Sequence, residues 1–378
     1  MIYLDSAATT ATRREVLEAM WPYLTGEFGN PSSHHELGES AAVALEAARA
    51  TVAAWLGCRA SEVVFTSGGT ESDNLAIKGI ALATPRGRRI VTSAIEHEAV
   101  LESCRYLERH HGFEVTVVGV DSDGMIDLAQ FADAVRSDTT LCTIMLANNE
   151  IGSVQPLARI VELAHGVPVH TDAVQAAGWL DLDVTRLGVD ALSISGHKLG
   201  APKGIGALFV RGRIPLEPLI HGGGQERDRR SGTENVAGAV GLAAAVILAE
   251  ASRLEHADRV ASVRDGFIAE VLAAVPDARL TGPTHDRLPT NASFCFPGTS
   301  GESILLELGE HGIVCSAGSA CAVGDDEPSH VLLALDLEPA VAQTAVRFSL
   351  DATATREQLH GVALEVAAAH ARVRSLGR

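Results

Sequence analysis

The chain has 378 residues, more than one hydrophobic core normally organises, and implies about two domains. It is 46% hydrophobic and 21% charged, the balance of a globular protein, and its formal net charge of -18 repels phosphate, which argues against direct binding to nucleic acid or an anionic membrane. Met1-Ile-Tyr-Leu-Asp5 lacks the basic segment and apolar run of a secretory signal, no apolar stretch reaches membrane-spanning length, and six scattered cysteines show no CxxC spacing. The expected compartment is therefore the cytoplasm, with reduced thiols.

Short β-type runs alternate with longer helical ones. A helix over 36–56 precedes a strand over 62–66. Phe65-Thr-Ser-Gly-Gly-Thr70-Glu-Ser-Asp-Asn74 then passes through two glycines into a helix over 71–83. Such a turn aims backbone N–H groups and a positive helix end at one spot, so Gly69 and Thr70 read either as a phosphate cradle or as a plain helix cap. A strand over 89–93 leads to Ala94-Ile-Glu-His97 and a helix over 97–110. The flat ring of His97 could stack on a planar cofactor and move protons near neutral pH; the alternative is a structural histidine.

Strands over 114–118 and 141–146 follow, the second closed by Asn148-Asn149-Glu-Ile-Gly152, and a helix is predicted over 156–165. The strand over 168–171 ends at Asp172, whose carboxylate suits either a pyridinium nitrogen or the next helix cap; Gln175, three residues on, faces the same crevice. A strand over 191–194 runs into Ser193-Ile-Ser-Gly-His-Lys198, and another covers 206–210. Lys198 is one of only three lysines, and an amine at the end of a strand can form a Schiff base with an aldehyde. Beyond residue 235 come a long Ala-rich helical stretch, turn residues at Pro276, Gly282-Pro283 and Pro289, strands near 292–296, 313–316 and 345–349, and a terminal helix from about 354.

This order predicts an α/β fold: a mostly parallel central sheet covered by helices, with a smaller α+β C-terminal domain. The large domain is placed at 12–250 and the small one at 1–11 and 251–378. Cys142 and Cys295 sit in apolar runs and read as core thiols. Cys321 lies among small residues ahead of Gly-Asp-Asp-Glu-Pro328, a segment that reads as an exposed loop whose thiol can reach a site and leave it loaded. Its spacing from Cys315 disfavours a disulfide in a reduced compartment. Arg347, within a small-domain strand, reads as a carboxylate clamp or as one half of a salt bridge. Phosphate cradle, ring-nitrogen carboxylate, stacking ring and amine all fall at the ends of successive strands, where such sheets bind ligands, and together they argue for pyridoxal phosphate with Lys198 as its anchor.

At this level of detail the chain resembles the cysteine desulfurases of the NifS/IscS type, among the fold-type I pyridoxal phosphate enzymes of the class-V aminotransferase family. The resemblance spans nearly the whole length. It rests on Leu4-Asp-Ser-Ala-Ala-Thr-Thr10, Phe28-Gly-Asn-Pro-Ser-Ser33, residues 65–74, Glu96-His97, residues 148–152 and 172–175, residues 193–198, His221-Gly-Gly-Gly-Gln-Glu226, Arg230-Ser-Gly-Thr233-Glu-Asn and Gly318-Ser-Ala-Cys321. It implies that Gly69, Thr70, Ser195, His197 and Thr233 hold the phosphate, Thr233 coming from the second subunit of a homodimer. Asp172 would pair with the ring nitrogen, and Asn149 and Gln175 would lie near the ring oxygen. His97 would stack and assist proton transfer. Lys198 would carry the imine, and Arg347, with Asn30 and Asn149, would take the substrate carboxylate.

The implied reaction takes sulfur from L-cysteine, leaving L-alanine and a Cys321 persulfide for a sulfur-acceptor or scaffold protein. Iron–sulfur assembly or thiolation would receive it, with Cys321 as a transient iron–sulfur ligand shared with a scaffold. A selenocysteine lyase or another fold-type I lyase or aminotransferase is the alternative, and a non-catalytic sulfur-transfer partner fits poorly with the retained Lys198, Asp172 and His97. The chain departs from the family pattern at Asp351, where relatives have glycine, and at Leu199-Gly-Ala201, where they are more aromatic.

Overall fold

The computed structural model describes residues 1–83, 86–317 and 328–376. Its strands are β1 (Ile2–Tyr3), β2 (Val63–Thr66), β3 (Arg89–Ser93), β4 (Glu114–Val118), β5 (Thr139–Thr143), β6 (Val169–Asp172), β7 (Ala191–Ser195), β8 (Gly206–Val210), β9 (Arg279–Leu280), β10 (Asn291–Cys295), β11 (Ile313–Val314) and β12 (Ala345–Ser349). Seven form one sheet in the order β2-β8-β7-β6-β5-β3-β4. The run from β7 to β4 is parallel, and β8 is antiparallel to both its neighbours. The expected mostly parallel sheet with a smaller α+β unit is the fold observed.

Side chains alternate across this sheet, as the two-residue period of a strand requires. Val63 and Phe65 of β2, Leu192 and Ile194 of β7 and Phe209 of β8 join the core on one face. Val64, Ala191, Leu208 and Val210 join the core on the other. With both faces covered, the inner strands are buried along their length and read as continuous apolar runs; β4, at the edge, leaves Glu114 and Val117 exposed. Beside β2, Arg49 holds Glu226 through two bonds of 2.6 and 2.8 Å, and Phe65 N donates to the same carboxylate at 2.9 Å. That buried pair fixes the 221–235 loop against the helix Glu36–Trp55.

β12, β10 and β9 form a small antiparallel sheet. It packs through Phe267, Phe294 and Phe348, whose rings meet edge to face at 5.2 to 6.2 Å, against the helices Arg253–Ala274 and Arg356–Leu376. The N-terminal segment joins this unit: Ile2 pairs with Ile313, Asp5 bridges to Ser349, and Leu4 is part of its core. Among the described residues no single helix is long and apolar enough to cross a membrane, and the helices Val236–Ala251 and Arg253–Ala274 meet at a 67° bend.

Several boundaries differ from expectation. The strand predicted at 141–146 is Thr139–Thr143, because the buried Thr139 and Thr140 extend it at the start; Ile144 and Leu146 still bond to β6 through their backbone N–H groups, and Met145 lines the cavity. The helix expected from 71 begins at Gly69, so the second of the two glycines is its first residue. The helix expected from 97 begins at Glu98, with His97 as its N-cap. The strand expected over 313–316 ends at Val314, and Ser316 instead makes an isolated bridge to Arg347. The terminal helix begins at Arg356, after Asp351 Oδ1 accepts from Thr353 N and Oγ1 at 2.7 and 2.6 Å. Cys142 and Cys295 are fully buried, as their apolar surroundings predict.

Candidate active site

Because β2, β3, β5, β6 and β7 all point their carboxyl ends the same way, the segments that follow them converge on one cavity of about 290 Å³. Lys198 reaches it from the turn after β7. Its Nζ donates to the carbonyls of Ala7 and Ala8, the second at 2.7 Å. The N-terminal segment is fastened over this turn: Thr10 N and Oγ1 donate to His197 O at 3.0 and 2.7 Å, and Arg13 N donates to Gly200 O at 2.9 Å. Gln175 Nε2 donates to Ala7 O at 3.0 Å, so it lines the cavity through the same strap.

Asp172 ends β6, and its Oδ1 accepts from Val174 N at 2.8 Å. Burial pushes its carboxyl above the usual range, while the charges of His97 and Lys198 pull it back. The His97 ring enters the cavity from its N-cap position, where Nδ1 accepts from Ala99 N at 3.0 Å. That bond fixes Nδ1 as the acceptor nitrogen and leaves the proton of a neutral ring on Nε2.

One wall is built for an anion. The first amides of the helix Gly69–Ala83 have no partner within the helix and carry its positive end. Gly68 has a φ of +157°. A Cβ on Gly69 would lie 2.7 Å from Val174 Cγ2 and 3.5 Å from Ser195 Cβ, so only bare backbone fits there. Ser195 and His197 face this turn across the cavity. The His197 ring is pushed down to about 4 by burial and by the neighbouring Lys198 and Lys203, which makes it a neutral group at pH 7; its Nδ1 lies 3.1 Å from Thr9 Oγ1.

Opposite, Arg347 of β12 is 1% exposed yet lines the same cavity. Its Nη2 donates to Asp5 Oδ1 at 2.9 Å and its Nη1 to Asn149 O at 3.2 Å, while Nε is buried without a partner. Arg347 is thus half of a salt bridge, and it also lines the cavity. Asn149 is presented by Asn148, whose Oδ1 accepts from Glu150 N and Ile151 N at 2.8 and 2.9 Å. If Arg347 clamps a carboxylate, Arg347→Lys keeps the charge but loses the planar fork. The expected result is a KM for the carboxylate substrate raised about 10- to 100-fold with kcat changed much less, read from steady-state kinetics.

Two expected site residues lie elsewhere. Asn30 does not line the cavity; its Oδ1 accepts from Ser32 N at 2.9 Å, closing a local turn. Thr233 lines a separate cavity of about 150 Å³ with Arg230 and Ser67. Cys321 lies outside the described residues. Sequence reasoning assigned no role to Asp5, Ala7 and Ala8, which act through the strap, nor to Asp73. The spacing from Thr70 to Asp73 is one helical turn, the signal that could have put Asp73 on the cavity face.

Residues 2–362 match the family described as aminotransferase class-V. The chain is 47% identical over 362 residues to the cysteine desulfurase IscS of Dictyoglomus turgidum, covering 95% of this chain and 92% of that protein. Among solved structures it is similar to a NifS-like protein, with a TM-score of 0.90 and 37% identity over 97% of this chain and 98% of that one. It is also similar to SspA in complex with cysteine, with a TM-score of 0.80 and 39% identity over 93% and 99% of the two chains.

Proposed function

The chain belongs to the aminotransferase class-V family, as a cysteine desulfurase of the IscS/NifS type, and from that premise we propose that Lys198 anchors its pyridoxal phosphate and Cys321 receives the sulfur of L-cysteine. The observation that carries this reading is the meeting of an amine, a buried carboxylate and a buried guanidinium around one cavity, Lys198, Asp172 and Arg347. The residues fit the cofactor. Gly69 leaves bare backbone where a phosphate needs close approach, and Asp172 is a buried carboxyl suited to a ring nitrogen. When bound, pyridoxal phosphate withdraws electrons from the α-carbon of an amino acid.

The protein's own groups do the rest. Gly69, Thr70, Ser195 and His197 would hold the phosphate, Asp172 would pair with the ring nitrogen, and Asn149 and Gln175 would lie near the ring oxygen. Arg347 orients the substrate carboxylate, so that the α-hydrogen faces Lys198 Nζ, which takes and returns that proton. The carbonyls of Ala7 and Ala8 receive the Nζ hydrogens when the amine is free. His97 would stack on the ring and move a proton through Nε2.

The Cys321 thiolate attacks the substrate sulfur. The carbon–sulfur bond breaks with its electron pair left on carbon, carbon takes a proton, and L-alanine leaves with a persulfide on Cys321. The finer parts of the reading are a cytoplasmic homodimer in which each copy's Thr233 completes the other's phosphate site, a division into domains at 12–250 and at 1–11 with 251–378, and a protein acceptor. Iron–sulfur assembly or thiolation is the proposed destination, with Cys321 as a transient cluster ligand. Asn30 belongs to the substrate side only if its loop approaches the cavity in the dimer.

The test is a single-turnover reaction of the purified protein with L-cysteine and no reductant, followed by mass spectrometry of the Cys321 peptide. One added sulfur with an equal amount of alanine is the expected result. Alanine or pyruvate formed with Cys321 unmodified would move the chain to another pyridoxal phosphate lyase or transaminase.

A further inference from the structure

Asp73 and Asp172 both line the cavity, and the fully buried Glu96 lies close enough for its carboxyl to feel theirs. Asp73, one turn into the helix Gly69–Ala83, is 1% exposed, and its Oδ1 has no hydrogen-bond partner. It faces Asp172 and His170 from β6, Ser193 from β7, and Glu96 from the segment after β3. The His170 ring comes within 3.7 Å of Asp73 Oδ1, but it is already engaged: Nδ1 lies 2.8 Å from Thr143 Oγ1 and Nε2 lies 3.0 Å from Ser193 Oγ. Burial pushes that imidazole down to about 3, so it is uncharged at neutral pH and offers Asp73 no cation. Glu96 is bound by Ser93 Oγ at 2.6 Å and by Met145 N at 2.9 Å, and burial lifts it to about 8.

Asp172 is the carboxyl with a cation beside it, Lys198. Of two adjacent carboxyls in a dry site, the one without a cation keeps its proton. We infer that Asp73 is a positioning residue that stays protonated behind Asp172, so that the carboxyl pair at the cavity floor carries one negative charge and not two. Its task rests on the reading of Asp172 as the ring-nitrogen partner. A second charge there would repel Asp172 and loosen the orientation in which that carboxylate meets a ring nitrogen.

The sign of the effect on stability follows from burial and the neighbouring Asp172 charge, which lift Asp73 well above the usual carboxylate range against a hydrogen bond from Ser193 that pulls it down. An unfolded Asp73 is ionised above about pH 4, and the folded one is not, so unfolding releases its proton and stability falls as pH rises toward the folded value. Asp73→Asn keeps the shape and removes the proton. Parent and variant are compared as purified holoenzymes, by calorimetric unfolding near pH 7 in buffers of different ionisation enthalpy and by infrared spectroscopy of the carboxyl stretch.

The expected result is one proton fewer released on unfolding of the variant, a Tm that declines less steeply with pH, and loss of one protonated-carboxyl band. A merely structural role would move Tm without moving the proton count. An unchanged count and an unchanged band overturn the inference. Asp73→Ser provides the same comparison if the asparagine variant does not fold. The apoprotein reports the same proton, so failure to bind pyridoxal phosphate would count against the functional reading alone.

Discussion

Lys198→Ala will lower alanine formation from L-cysteine by about three orders of magnitude, the scale of losing a positioned proton-transfer group, with a further loss from the missing covalent anchor. Of the described residues lining the cavity, Lys198 is the only lysine, so no neighbouring amine can take its place. The substitution leaves the strap in position, because Thr10 and Arg13 bind the backbone of His197 and Gly200 and not the Lys198 side chain. The protein should therefore stay folded, with an unchanged far-UV spectrum, and a small primary amine added at high concentration should restore part of the rate. Alanine production at the parent rate would remove Lys198 from the mechanism.

The second large effect concerns sulfur. Cys321→Ala should keep pyridoxal phosphate and its visible absorption while sulfide release from L-cysteine falls by about a thousandfold, since a thiolate is required and no other cysteine is fit to supply one. Cys315 is the nearest in sequence, but burial lifts its thiol to about 12, so it is un-ionised at neutral pH. Cys58, Cys104 and Cys142 are likewise lifted to about 12, and Cys295 to about 11. The described residues on either side of the Cys321 segment are tied to the site: Ser316 exchanges backbone bonds with Arg347 at 2.7 and 3.2 Å, and Ser329 Oγ donates to Glu150 at 2.5 Å. Sulfide measured in the presence of reductant decides the matter, and full release by the variant would sink the role of the thiol.

Much of the fold could be read from short apolar runs bounded by glycine and polar turns. β3, β4, β8 and β12 fall on the predicted residues because their Val, Ile, Leu and Phe content is bounded by clear breaks. β5 was harder to place, since its first two residues are threonines that only tertiary burial makes into strand, and Met145 after it lines the cavity. The groups at strand ends were legible because each combines a reactive side chain with a turn: Lys198, Asp172, His97 and Gly69 all line one cavity. Ala7 and Ala8 were not, because they contribute carbonyls, which any residue carries. Asp73 was hidden for a different reason. A helical Asp normally faces water, and only the sheet packed behind it shows that this one does not.

The Asp5 to Arg347 pair joins residues 342 positions apart. On a ribosome adding about 5–20 residues per second, Asp5 waits on the order of tens of seconds for its partner. The central sheet, by contrast, is complete in sequence at Val210, with Lys198, Asp172 and the Gly69 turn already made. Vectorial synthesis therefore delivers Lys198, Asp172 and the Gly69 turn before Arg347. A nascent chain carries three of the residues that line the cavity well before the one that closes the Asp5 pair.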